Sequence, residues 1–296
     1  MKIDARCLQR LGKASEQFVV GAEFFWILRV RGIIMREHAR ERLYDEDAHR
    51  ALSVGRDLTK ARRIVGKQFF LAKIWLLIEY IGRIIALALA AQYPFLWAAV
   101  GIHGQEAGRA KPGDLNRLLP LLEEPRAVAL GEIGLDYHYD DGAPREVQRE
   151  LLERQLQIAV ERDIPVILHD REAHEDMWKL LQRYKPRGVM HCFSGSVEMA
   201  RDLVGIGMYI GLGGAVTFKN ARRPIEVAAW VPEDRLLIET DAPYMTPAPF
   251  RGKRNSSALI PYTAEKIAQV RGMTPEQVLR MTRENAERLF GVVCPA

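Results

Sequence analysis

Ala127-Val128-Ala129-Leu130-Gly131-Glu132 and Pro165-Val166-Ile167-Leu168-His169 are short apolar runs that each end in a polar residue, and the helical pattern Pro144–Arg162 separates them. Runs of this length, apolar throughout, suit strands covered on both faces. Strand, helix and strand in succession make a βαβ unit, whose strands lie parallel. The alternation extends in both directions. Phe95–His103 and the helical Asp114–Glu123 precede it. Ala173–Arg183, Gly188–His191, Val197–Gly205, Met208–Leu212, Ala221–Trp230 and Arg235–Thr240 come after it, again helix and strand by turns. Two helical patterns close the chain, Tyr262–Arg271 and Thr274–Phe290, the second started by a Thr cap and a Pro in the first turn. The fold class is α/β, a (β/α)8 TIM barrel formed by residues 1–296 as a single domain.

Six strands are legible from Phe95 onward, so two more are needed upstream. Lys2–Asp4 and Ala51–Gly55 are the candidates, the latter followed by a helical Leu58–Val65. This N-terminal third is irregular: the apolar runs Phe18–Ile34 and Phe69–Ala90 fit no clean alternation. The span Phe69–Ala91 is long enough to cross a bilayer, but Lys73, Glu79 and Arg83 share one arc of a helical wheel with Tyr80. That pattern reads as a soluble amphipathic helix, since mid-span charges are costly in lipid. A net charge of +5 favours polyanionic partners. Cys7, Cys192 and Cys294 are scattered and lack paired spacing, which fits a reducing cytoplasm, and the first residues show no apolar leader.

Metal-ligand residue types stand at four strand ends: Glu132, His169, His191 and Asp241. In a parallel barrel all C-terminal strand ends share one face, so these side chains should converge there. Carboxylate with imidazole suits zinc, magnesium or manganese. His103 also ends a strand and reads equally as a contact to substrate phosphate or as packing. The loop Phe250-Arg251-Gly252-Lys253-Arg254-Asn255 comes after Asp241, and its cations, with Lys219, Arg222 and Arg223 near another strand end, could hold a phosphate backbone. Asp136 reads as a support for a ligand or a loop. His138 and His174 read as supporting or exposed residues, His38 and His49 as surface residues, and Cys192 as a small buried apolar residue.

Taken together, the motifs resemble the TatD-like metal-dependent deoxyribonucleases. Those that carry the likeness are Tyr93-Pro94-Phe95-Leu96, Val100-Gly101-Ile102-His103, Gly131-Glu132-Ile133-Gly134-Leu135-Asp136-Tyr137, His191-Cys192-Phe193-Ser194-Gly195, Glu239-Thr240-Asp241-Ala242-Pro243-Tyr244 and Arg251-Gly252-Lys253-Arg254-Asn255. They span about 88–291, leaving 1–87 divergent. The resemblance implies an amidohydrolase-type TIM barrel, two divalent metals and hydrolysis of DNA phosphodiesters from single strands or 3′ ends. By the same resemblance Glu132 bridges the metals, His169 and His191 complete one of them, and Asp241 binds the other and helps activate water. Hydrolysis of aminoacyl-tRNA esters is the alternative enzyme reading, and a non-catalytic nucleic-acid-binding barrel the third. No stable protein partner is implied.

The family opens with Asp-x-His-x-His on its first strand. Here the matching stretch is Ile3-Asp4-Ala5-Arg6-Cys7-Leu8-Gln9, with Arg6 at the first His position and Leu8 at the second when aligned without a gap. Gly104-Gln105 replaces Pro-His, and Ser256-Ser257 replaces Glu-Pro. Glu132, His169 and His191 would form one intact metal position, while the one using Asp241 lacks imidazoles and is impaired. Restoring the pair with Arg6→His and Leu8→His should therefore raise metal content and hydrolysis together. Equal metal content and equal rates in the original and rebuilt chains would place those ligands elsewhere.

Overall fold

A computed structural model describes Trp26–Ile27 and residues 82–294, apart from 112 and 141. The strands are β1 (Trp26–Ile27), β2 (Leu96–Val100), β3 (Ala127–Asp136), β4 (Val166–Arg171), β5 (Gly188–Met190), β6 (Tyr209–Leu212) and β7 (Leu236–Ile238). They pair in chain order and every pair is parallel. Helix α1 covers 82–92. Next come α2 (Asp114–Leu122), α3 (Arg145–Glu161), α4 (His174–Tyr184), α5 (Val197–Gly205), α6 (Arg222–Trp230), α7 (Ile260–Arg271) and α8 (Pro275–Phe290). Sequential parallel strands with a helix after most of them give the curled sheet of a β/α barrel. The neighbour of β2 is Trp26–Ile27, inside the apolar run Phe18–Ile34 that showed no strand pattern. Lys2–Asp4, Ala51–Gly55, Leu58–Val65, Arg6, Cys7, Leu8, His38, His49 and the first part of Phe69–Ala91 lie outside the described residues.

The pleat sorts side chains into two sets. Ala99, Ala129, Ile167, Val189, Tyr209 and Leu237, one from each of β2 to β7, form a single apolar layer with Ala286, Leu289 and Phe290 of α8. This layer is the floor of the barrel. Residues of opposite phase, among them Leu130, Leu168, Met190, Ile210 and Leu236, face the helices in the main core. Since side chains alternate along a strand, two residues beyond the floor the inward positions are His169, His191, Gly211 and Glu239, and His103 is four beyond Ala99. The polar layer thus lies directly above an apolar one.

On β3 simple alternation would fail. Leu130 and Ile133, three residues apart, both face the outer core. Their partners on β4 are Val166 and Leu168, only two apart, so β3 carries one extra residue there. Such a bulge re-phases the strand and aims one side chain anew. Here the side chain is Glu132.

Among the described residues no helix is long and apolar enough to cross a membrane. The described part of the Phe69–Ala91 span instead packs Ala86, Leu87, Leu89 and Ala90 against Leu96, Ala98 and Val100 of β2, and Arg83 Nε donates to the carbonyl of Gly101 at 2.7 Å.

Two buried glutamines of α3 tie the upper ends of β2 and β3. Gln155 accepts from the amide of Ile102 at 2.8 Å and donates to its carbonyl at 2.9 Å. Gln148 makes the same pair with Asp136, 2.9 Å in each direction, and also donates to the carbonyl of Ala143. Each amide mimics a neighbouring strand where regular pairing has run out. Gln155→Leu leaves both backbone groups of a buried residue without that partner. The expected loss in a urea titration is about 2–4 kcal/mol; a midpoint unchanged from the parent would mean that water replaces the amide.

Candidate metal centre

Four side chains of the polar layer meet at one atom. Oε1 of Glu132 lies 2.9 Å from Nδ1 of His169, 3.3 Å from Nε2 of His191 and 3.4 Å from Nε2 of His103. That oxygen is shielded from solvent. The rings crowd one another, with centroids 4.5 Å apart for His103 and His169 and 6.0 Å for His169 and His191. His103, Glu132 and His169 each offer a ligand atom within 4.8 Å of the others. A carboxylate and imidazoles converging at this spacing are the donor set of a divalent transition metal. The residues present therefore fit the metal that the sequence resemblance implies.

A second tier of groups fixes the imidazoles. Glu239 Oε2 lies 3.0 Å from Nδ1 of His191, and its Oε1 accepts from the amide of Cys192 at 2.8 Å. In the neutral ring that could ligate a metal, a Nδ1–H donated to Glu239 leaves Nε2 as the lone-pair nitrogen facing Glu132. Burial opposes charge on His191, but the carboxylates of Glu239 and Glu132 outweigh it and hold its pKa well above 6.5. Gly211 makes room for Glu239, since a Cβ there would come 3.2 Å from Oε2. Asp136, 1% exposed, stands 3.2 Å from Nε2 of His169 and accepts from Gln105 Nε2 at 2.6 Å. Burial raises its pKa, yet the hydrogen bond and charge of His169, the amide of His138 and the charge of His103 together bring it down to about 2. His103 Nδ1 accepts from the amide of Gln105, which directs Nε2 toward Glu132. Gly134 holds β3 close to β4: its φ is +144°, and a Cβ there would collide with the carbonyl of His169.

The strand-end positions are therefore brought together for Glu132, His169 and His191. His103, read as a phosphate contact or as packing, lies in the cluster itself. Asp241, like His191, is not one of the three residues of the 4.8 Å group. It lies three residues past the end of β7, in a left-handed backbone conformation with φ 53°. Cys192 is half-buried, contrary to the expected buried apolar role, because β5 has ended at Met190 and φ turns to 46°. His138 and His174 are partly exposed and pair with Glu172 and Asp170 at 2.6 and 2.7 Å. In the basic loop Arg251 stacks on Phe218 with its guanidinium 3.6 Å from the ring centroid, and Lys253 approaches the Phe250 ring at 5.7 Å. Arg254 is exposed. Buried Asn255 pins this loop beside Asp241, donating to the carbonyls of Thr240 at 2.7 Å and Tyr244 at 2.6 Å. Sequence reasoning missed Glu239 as a site residue; its inward phase, two residues after Leu237, was the available signal.

Comparison with known proteins agrees in kind. The family described as TatD related DNase matches residues 36–291. An uncharacterized metal-dependent hydrolase of Bacillus subtilis, YabD, is 43% identical over 210 residues, covering 70% of this chain and 82% of that protein. The 3′-5′ ssDNA/RNA exonuclease TatD of Salmonella typhimurium is 38% identical over 218 residues, covering 70% and 83%. The crystal structure of the TatD homolog YJJV of Escherichia coli superposes with a TM-score of 0.67 at 35% identity, over 70% of this chain and 82% of that one.

Glu239→Gln supplies one acceptor oxygen and an NH2 donor, so if the oxygen keeps the Cys192 amide, the NH2 makes His191 Nδ1 an acceptor and moves the ring proton to Nε2, the nitrogen that would face the metal. Affinity for zinc or manganese, titrated by calorimetry, should drop roughly 10–100-fold. An unaltered affinity would show that packing alone orients His191.

Proposed function

The chain belongs to the TatD-related DNase family of metal-dependent hydrolases, and on that premise we propose that it hydrolyses phosphodiester bonds of single-stranded DNA, working from 3′ ends. The observation that carries this reading is the meeting of three imidazoles at the shielded Oε1 of Glu132, on the barrel face that also bears the basic loop. A relative named as a 3′-5′ ssDNA/RNA exonuclease supports the substrate class.

Glu132, His169, His191 and His103 would hold the metal, with Asp136 and Glu239 keeping the rings of His169 and His191 in place. When bound, a divalent metal supplies Lewis-acid polarisation of the phosphoryl oxygen and a lowered pKa for water. Asp241, on the loop after β7, accepts the proton of the attacking water at its carboxylate. Arg251, Lys253 and Arg254 set the phosphodiester in register by charge. Arg251 is well suited to this, because stacking on Phe218 limits the rotamers it must give up on binding. Arg6 and Leu8 stand at the family's His positions, so one metal position is complete and basal turnover is low. Arg6 cannot replace a ligand, since a guanidinium keeps its proton.

The test is hydrolysis of a 5′-labelled single strand by the metal-loaded protein, with and without chelator, beside Glu132→Ala. Shortening from the 3′ end is expected for the parent alone, and Glu132→Ala should keep its circular dichroism because a crowded carboxylate has been removed rather than a core group. Turnover surviving in Glu132→Ala would refute the assigned centre. A metal-loaded parent that binds the strand without cutting it would instead be a nucleic-acid-binding barrel.

A further inference from the structure

Two of the large apolar side chains left exposed are tyrosines at the metal-centre end of the barrel, Tyr139 at 43% and Tyr244 at 56%; Phe95, also exposed, precedes β2 at the opposite end. Tyr139 lies three positions past the last residue of β3. Its ring is exposed and also held. The guanidinium of Arg171 lies 5.2 Å from the ring centroid, and Arg171 Nη1 donates to the Tyr139 hydroxyl at 3.2 Å. The His138 ring meets it edge-on at 5.1 Å and 81°. His138 is in turn fixed by Glu172, 2.6 Å from Nδ1, and the amide of Gly142 donates to the Tyr139 carbonyl at 3.0 Å.

This assembly is rooted in the strands that build the metal centre. Arg171 is the last residue of β4, two beyond His169, and is the register partner of Asp136 on β3. An exposed cation–π pair adds little to stability, so stability gives no reason to keep a large ring both rigid and wet. Recognition does: a pre-ordered aromatic face loses little freedom when another ring stacks on it, and every nucleobase offers such a face. The cation behind the ring suits the phosphate next to a stacked base.

We propose that Tyr139, backed by Arg171 and edged by His138, is a stacking site for one nucleobase of a bound single strand, outside the metal centre. The inference rests on the nucleic-acid reading given above and adds to it a contact to the base, where the basic loop offers contacts only to phosphate.

Equilibrium binding of metal-loaded protein to two fluorescent strands of equal length tests it. One is oligothymidylate and the other an abasic backbone, both phosphorothioate-linked to resist cleavage. The parent should prefer the strand that has bases. Tyr139→Ala should lose roughly 5–100-fold in affinity for oligothymidylate and nothing for the abasic strand, whereas Tyr139→Phe, which keeps the ring, should bind both like the parent. Parental affinity of Tyr139→Ala for oligothymidylate overturns the proposal. So does an equal loss on both strands, which would mark a general disturbance of the loop. A parent that binds both strands equally overturns the stacking site alone, while a parent that binds neither overturns the nucleic-acid reading with it.

Discussion

The two-residue repeat of a β-strand is the constraint on which the site depends. Because alternate side chains face opposite ways, the phase of Ala99, Ile167, Val189 and Leu237 on the barrel floor, carried on along β4 and just past the ends of β2, β5 and β7, leads to His103, His169, His191 and Glu239. The apolar floor and the polar centre are one pattern read at two heights. β3 departs from it, and the extra residue between Leu130 and Ile133 is what lets Glu132 join the imidazoles while its neighbours stay in the outer core. Without that bulge, Glu132 would point among the helices, where an ion would be costly to bury.

Electrostatics explains the second tier. Three imidazoles around one carboxylate oxygen would be free to tilt and to exchange tautomers. Glu239 behind His191 and Asp136 behind His169 remove that freedom by accepting at the far nitrogen of each ring. Asp136 is itself held by Gln105 and by Gln148, so the restraint runs from helix to strand to carboxylate to ring. The centre is stiff because each polar group in it has two duties.

Much of this was legible in the sequence because alternating strands and helices leave strong periodic marks. Asp114–Leu122 and Val197–Gly205 fall within a residue of where periodicity put them. Glu132, His169 and His191 stood out because a polar residue closing an apolar run is conspicuous. His103 was legible as a strand-end residue, but as a phosphate contact or as packing, because its phase must be carried from Ala99 across Gly101, a residue with no side chain to report it. Glu239 was not, because it sits inside the Glu239-Thr240-Asp241 motif, in which Asp241 is the residue of ligand type at the end of the run. The strand Trp26–Ile27 was hidden in a long apolar run, where a two-residue strand leaves no period to detect.

Gln148 and Gln155 are seven residues apart, two turns of α3, and so emerge from one side of the helix. Each must meet a fixed backbone unit, Asp136 in one case and Ile102 in the other. The helix consequently acts as a ruler laid across two strands, with its graduations set by the helical repeat. A surface helix ordinarily absorbs a one-residue insertion by rotating its remaining turns through about 100°. Between these glutamines no such slippage can pass silently: one amide or the other would swing away from its strand, and the strand tips bearing His103 and Asp136 would come out of alignment. This stretch of the protein's exterior is thereby closed to drift in length, though it remains open to change in residue type on its wet side.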